Sequence, residues 1–395
     1  MARAQDATLW TPELKRKNAA SEGPAVWTRA DRRDGSRPAD VAPDPVEPEP
    51  PVGVLFAENF NAQPDWDSGL AGNDLGGLPN GLPDRAQSAS AGHLLPQGWD
   101  YVYQNPTLAP SLGDTDKREV LEIKQEFSSR ARGGSGKCLV LHRVADAESG
   151  SWRSDGQILK VLDRMYSELY VEFWIAYDPA WTIEPSSSSS KLFRVASWNG
   201  QQPIVEAFPG GNQGPLFVWN WRRDNYGLRN VHTVRGGPWG ENYYLTSDQL
   251  GSMPSSGSIN YSNMIKGMGV GGSDPQLTDK LNGGTIPDSG IIEHTQVFGT
   301  GGTYTKVAFY LKMPTAPGAR DGVVKQWIDD ERIINHDDIM MVPSLPDGVT
   351  EMPGWNVVDF GGNDWFKNYP AADRRQEWYA IDDIVVRDNL PEGLE

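Results

Sequence analysis

Three groups of residues in this 395-residue chain have the types and spacing for chemistry. The first is aromatic and cationic. Phe217, Trp219 and Trp221 stand at alternate positions, which a strand places on one face. Trp198, Tyr226, Trp239, Tyr243 and Tyr244 lie close by in sequence, with Asn220, Arg222, Arg223, Asp224 and Asn225 interleaved. Sugar recognition pairs stacking rings with planar hydrogen-bonding side chains. Trp198, Trp219, Trp221, Arg222, Tyr226, His232, Trp239, Tyr243 and Tyr244 are therefore the expected glycan-binding residues. The same spacing suits a strand whose tryptophans fill a core while its polar neighbours face water. Both readings stay open on sequence alone.

The second group serves proton abstraction. Eliminative cleavage of a polyuronide needs a cation to neutralise the uronate carboxylate and a Tyr or His to carry the proton. Arg194, Arg222, Arg223, His232, Tyr226, Tyr243 and Tyr244 supply both types within residues 191–244, although Arg and Tyr also populate any polar sheet face. The third group, the metal ligands, is thin. The five histidines, His93, His142, His232, His294 and His336, are scattered, no His-Glu-x-x-His occurs, and Cys138 is the one cysteine. An intrachain disulfide or a thiolate metal site is thus excluded, and Cys138 reads as a small apolar residue of a buried strand. Gly267-Met-Gly-Val-Gly-Gly272 matches Gly-x-Gly-x-x-Gly but lacks the strand and helix that a dinucleotide site needs.

These residues require strands to hold them. From Val54 onward apolar positions alternate with period two: Val54–Phe60, Val120–Phe127, Cys138–Val144, Tyr170–Tyr177, Lys306–Lys312, Val323–Ile333 and Trp378–Val386. With 43 Gly and 30 Pro as punctuation and no sustained helical period, the pattern predicts one all-β domain over 53–390. A Gly/Ser-rich insertion at about 246–302 is expected to fold over one sheet. Ahead of the domain, residues 1–37 carry mixed charge, with Trp10 and Trp27 as isolated anchors. Residues 38–52 form a proline-rich acidic linker expected to be extended.

Bulk properties narrow the partners. The net charge of −17 disfavours a general nucleic-acid binder. No apolar run reaches membrane-spanning length. The opening residues Met1 to Thr8 show no secretory apolar core, so export by that route is not expected.

Phe56-x-Glu58-x-Phe60, Tyr170–Tyr177, Lys191-Leu-Phe-Arg194, Asp321-Gly-x-x-Lys-x-Trp327-x-Asp329 and Ile381-Asp-Asp-Ile384, in that order, resemble the concanavalin A-like lectin/glucanase superfamily. The resemblance implies a two-sheet antiparallel β-sandwich, a jelly roll, behind an extended N-terminal arm. It also implies a structural calcium held by Glu58 with Asp382 or Asp383; no other cofactor is expected. Glucanases of this superfamily carry Glu-x-Asp-x-x-Glu, and no Glu here has an Asp two residues on. That removes the hydrolase reading. Asp330 and Glu331 follow Asp329 where the family's hairpin has Gly, so this turn is expected to differ.

Three functions remain. The layout resembles bacteriophage virion proteins, which implies a capsid- or tail-associated structural protein. Its arm, residues 1–52, would bind other virion proteins in a homo-oligomer or symmetric array, and its sandwich would display a glycan-binding face. The alternatives are a stand-alone carbohydrate-binding module and a jelly-roll polysaccharide lyase.

Overall fold

The computed structural model describes residues 52–68, 86–88, 95–104, 120–144, 152–181, 188–200, 204, 213–224, 227–237, 241–253, 259–260, 277–286, 291–366 and 376–394. The chain divides into a unit of 1–54 and a unit of 55–395; the first lies outside the described residues except for 52–54. The anchors Trp10 and Trp27 and the Gly267–Gly272 motif likewise lie outside them.

The strands in chain order begin with β1 (Val54–Glu58), β2 (Trp66–Asp67), β3 (Ala86–Ser88), β4 (Tyr101–Gln104), β5 (Leu121–Ile123) and β6 (Leu139–Val144). Then come β7 (Trp152–Tyr166), β8 (Glu168–Tyr177), β9 (Ser188–Ala196), β10 (Leu216–Asp224), β11 (Gly227–Gly236) and β12 (Tyr243–Tyr244). The last are β13 (Ile259–Asn260), β14 (Thr305–Lys312), β15 (Gly322–Ile328), β16 (Glu331–Ile339), β17 (Trp355–Phe366) and β18 (Gln376–Arg387). They form two antiparallel sheets. Sheet A runs β16-β15-β14-β8-β18-β6-β5-β2, with β1 also on β18. Sheet B runs β12-β11-β10-β9-β17-β7-β4-β3, with β13 also on β11. The fold is an all-β sandwich of the jelly-roll kind. Short helices α1 (Ser247–Leu250) and α2 (His294–Phe298) lie within the expected insertion.

The sheets meet through aromatic rings. Phe173 of β8 and Phe309 of β14 face Phe193, Phe217, Trp219 and Phe360 of sheet B, and all six are fully buried. Phe193 stacks on Phe309 at 5.0 Å, and Phe173 meets Phe360 edge-on at 5.2 Å. Edge-to-face and offset contacts of this kind add to the area term.

Two polar bridges also cross the core. Arg143 of β6 donates to Glu377 of β18 (2.7 and 3.0 Å) and reaches across to Ser190 of β9 (2.6 Å) and Asp364 of β17 (3.3 Å). Its guanidinium lies over the Trp181 indole. Elsewhere Gln326 Oε1 of β15 accepts from Asn230 Nδ2 (2.5 Å) and His232 Nε2 (2.7 Å) of β11, and Trp219 Nε1 donates to Asn230 (2.6 Å). Asp364 enters the core through a kink at Gly361 and Gly362, whose φ values are 107° and 154°. A Cβ on Gly361 would meet the Gly156 carbonyl at 2.3 Å, so only glycine fits there.

Two local expectations change. The alternating run Val120–Phe127 is a strand only over Leu121–Ile123, and a 3-10 helix then spans Gln125–Arg130. Its Phe127 packs with Cys138, Val140 and Ala380 on the outer side of sheet A, so a period-two apolar position is met by a helical turn instead. The hairpin between β15 and β16 turns on Asp329 and Asp330, both at positive φ (48° and 72°). Aspartate tolerates this geometry where its carboxylate finds local partners. Here Asp329 accepts from the Lys306 amide (2.9 Å) and pairs with Lys280, while Asp330 pairs with Lys306.

Phe360→Ala should lower unfolding stability by about 3–5 kcal/mol in denaturant titration. Burial, opposed in part by Arg143, pushes the Asp364 carboxyl up to about 6 from 3.8. A raised folded-state value stabilises below the unfolded pKa, and that contribution is lost as pH rises through about 6. Asp364→Asn should therefore flatten the stability profile between pH 4 and 6, removing a change on the order of 2–3 kcal/mol.

Candidate functional site on the outer face of sheet B

Alternation settles the aromatic cluster. Phe217, Trp219 and Trp221 share a face as expected, and it is the inner one: Trp219 is 0% and Trp221 1% exposed. Trp221 Nε1 donates to His294 Nδ1 (2.8 Å), and Trp219 packs on Phe309. His232, opposite Trp219 in the register, is inside with them. None of these three offers a surface to a sugar. Arg223 also leaves the outer face and pairs with Glu293 at 2.6 Å. Tyr243 packs half-buried against the inner core. Tyr226 and Trp239 lie outside the described residues.

What faces outward is the complementary set. Across β9, β10 and β11 one row runs Arg194–Val218–Thr233, the next Ala196–Leu216–Arg235, and Arg222 stands opposite Arg229. Asp359 of β17 continues the Arg194 row to Leu159 of β7 and Tyr101 of β4, and Gln157 stands opposite Tyr103. Arg194 Nη1 donates to Gln157 Oε1 (2.7 Å) and pairs with Asp359 (3.3 Å), while its Nε has no acceptor. Lys191 donates to Asn363 (2.7 Å). Arg194, Arg222, Arg229, Arg235 and Lys191 thus share this face, with Asp359 beside Arg194. In a chain of net charge −17 that is a local inversion of sign.

One flank of the face is apolar. Ile204 packs with Leu216, Val218, Ala196 and Val357, and half-buried Trp198 joins them, its ring edge-on to Tyr101 at 6.1 Å. Tyr244, 57% exposed on β12, stands opposite Arg235. Of the expected glycan-binding residues, then, the structure gathers Trp198, Arg222 and Tyr244 on the outer face and turns Trp219, Trp221 and His232 into the core. Arg194 appeared in sequence only as a candidate neutraliser. Arg229, Arg235, Gln157 and Tyr103 carried no signal beyond alternation, because only cross-strand register brings them together.

The expected calcium ligands are committed to protein donors. Glu58 accepts from the Phe60 amide (2.6 Å) and Gln63 Nε2 (2.5 Å). Asp382 accepts from the amides of Arg132 and Asp383 (both 2.9 Å), and Asp383 pairs with the Arg132 guanidinium. Burial raises all three carboxyls above their ordinary range. Among the described residues no group of three or more His, Cys, Asp or Glu is placed to hold a metal ion. In this arrangement the carboxylate oxygens of Glu58, Asp382 and Asp383 are engaged by protein donors rather than gathered as the ligand set that the resemblance implied. Cys138 is buried as expected, and burial pushes its thiol up to about 12.

No protein-family model matches the chain, and no curated protein sequence matches it. Several solved structures are similar to it. A variant of alginate lyase Aly36B in complex with alginate tetrasaccharide is 15% identical, over 85% of this chain and 98% of that one, with a TM-score of 0.43. The marine PL-14 alginate lyase from Aplysia kurodai is 10% identical, over 68% and 86%, at 0.39. The alginate lyase vAL-1 from Chlorella virus is 12% identical, over 63% and 85%, at 0.35.

Burial pushes the imidazoles of His232 and His294 down to about 3. Ring-proton NMR should show both neutral and unshifted between pH 5 and 8, and a mid-range titration of either would contradict its placement in the core.

Proposed function

We propose that the outer face of sheet B binds an acidic polysaccharide and cleaves it by β-elimination. One observation carries the reading: five cations, Arg194, Arg222, Arg229, Arg235 and Lys191, gathered on one face of a strongly acidic chain. Such a face attracts polyanions by field and holds carboxylates by charge-assisted hydrogen bonds.

The chemistry follows from the substrate. The proton on C5 of a uronate is acidified by the carboxylate attached there, and only when that carboxylate is neutralised. Arg194, whose Nε is unused, is assigned this role, with Gln157 and Asn220 beside it as neutral donors. Tyr103, the cross-strand neighbour of Gln157, is assigned the proton transfer. Loss of the C5 proton builds charge on the carboxylate, where fixed donors stabilise it best. The C4–O4 bond then breaks, C4=C5 forms, and Tyr103, which takes the C5 proton as its phenolate, returns that proton to the departing O4.

The apolar flank with Trp198 and Tyr101 gives a sugar ring a surface to lie on. Residues 1–51 lie outside the described residues, so an arm that anchors the sandwich to a particle, and a place in a virion, form no part of this proposal.

Incubation with a panel of polyuronates should produce the absorbance of an unsaturated uronate. Arg194→Ala should reduce the rate by about 10²–10³-fold, and Tyr103→Phe should abolish turnover while leaving substrate binding within threefold. A wild-type protein that binds polyuronates without generating that absorbance would refute the cleavage step, and one that binds none would refute the whole reading.

A further inference from the structure

Four arginines among the described residues are buried: Arg143, Arg194, Arg223 and Arg235. Three of them face carboxylates, namely Glu377 and Asp364 for Arg143, Asp359 for Arg194 and Glu293 for Arg223. Arg235 has no such partner. Its Nη2 donates to the Tyr244 hydroxyl at 3.1 Å, and its Nε and Nη1 are buried with no acceptor at all. A cation withdrawn from water without a counter-charge is costly, and an incoming anion would offset that cost. Burial lowers the Arg235 pKa; the Tyr244 hydroxyl offsets part of this, and the nearby Arg194 charge adds to the cost.

Its position separates it from the Arg194 centre. Arg194 is on β9 and Arg235 on β11, with β10 between them, so their strands lie roughly 9–10 Å apart. Arg235 also stands one outward position further along, in the row of Leu216 and Ala196 rather than that of Val218. The two guanidiniums therefore stem from different strands and different rows of the outer face. Tyr244 places its ring 4.2 Å from the guanidinium carbon, on a two-residue edge strand, and is itself 57% exposed. A cation–π contact at an exposed ring is weak beside a charge-assisted hydrogen bond. The ring acts as a displaceable cap.

We propose that Arg235, capped by Tyr244, is a second acidic-sugar subsite, taking the carboxylate of a uronate unit other than the one held at Arg194. This rests on the reading of the face as an acidic-polysaccharide cleft. It adds that the substrate carries charge on more than one unit within the cleft, so that affinity grows with the number of charged units bound.

Calorimetric titration of the full chain with oligouronates of two to six units tests it. The wild type should gain affinity with length. Arg235→Gln should lose at least tenfold for the longer oligomers but less than threefold for the disaccharide, with its thermal transition checked against wild type. Tyr244→Ala, at an exposed position, should keep the fold and hold or raise affinity for the longer oligomers. Equal length dependence in Arg235→Gln and wild type would overturn the subsite while leaving the cleft intact, whereas a wild type that binds no oligouronate would overturn both. A fall in Tyr244→Ala would overturn the cap. Sulfated neutral-sugar oligomers showing the same Arg235-dependent gain would overturn the assignment to carboxylate.

Discussion

Burial of Phe193, Phe217, Trp219 and Trp221 between the sheets fixes which way every other residue of β9, β10 and β11 points. Side chains alternate along a strand, so seating these rings inward leaves Arg194, Arg222, Arg229 and Arg235 no direction but outward. A slip of one residue would bury the cations and expose the rings, which no hydrogen bond within the sheet could offset. The basic face is therefore a consequence of core packing, held by rings that touch no ligand.

The same chain treats its buried charges in two ways. Inside the core Arg143 sits among Glu377, Asp364 and Ser190, and because these come from both sheets the cluster ties them together. The Gln326–Asn230–His232 set repeats the device with neutral groups. There Gln326 Nε2 and His232 Nδ1 are left over. On the outer face the balance is different. Arg194 keeps an unused Nε beside its pair with Asp359, and Arg235 has no carboxylate. Arg194, Arg222, Arg229 and Arg235 gather on one side of sheet B in a chain with 53 acidic residues, and the proposed polyanion surface rests on that gathering.

Much of the architecture was legible in the residues. Alternation placed β6, β8, β14, β15, β16 and β18, and the spacing of Phe217, Trp219 and Trp221 correctly put them on one face. Period two states that two faces exist without stating which is inside, and for that reason Trp219, Trp221 and His232 looked as good for sugar as for core. Val120–Phe127 misled because Phe127 reaches its buried contacts from a 3-10 turn. The outer face was hidden for another reason. Arg194, Arg229, Arg235 and Gln157 come from separate strands, and each alone is an ordinary polar residue. Their common surface exists only in the register between strands. Glu58, Asp382 and Asp383 show the converse, since residues in suggestive places spend their oxygens on Gln63, Arg132 and backbone amides.

The arginines on the outer side of sheet B, Arg194 and Arg235, and not Arg143 and Arg223 on its inner side, are proposed to meet an acidic polysaccharide. The most direct measurement is an NMR titration of the arginine Nε–Hε resonances of the full chain with a defined oligouronate. The account predicts saturable shifts of Arg194 and Arg235, with Arg143 and Arg223 unmoved. Shifts confined to arginines elsewhere, or none at saturating oligouronate, would contradict it.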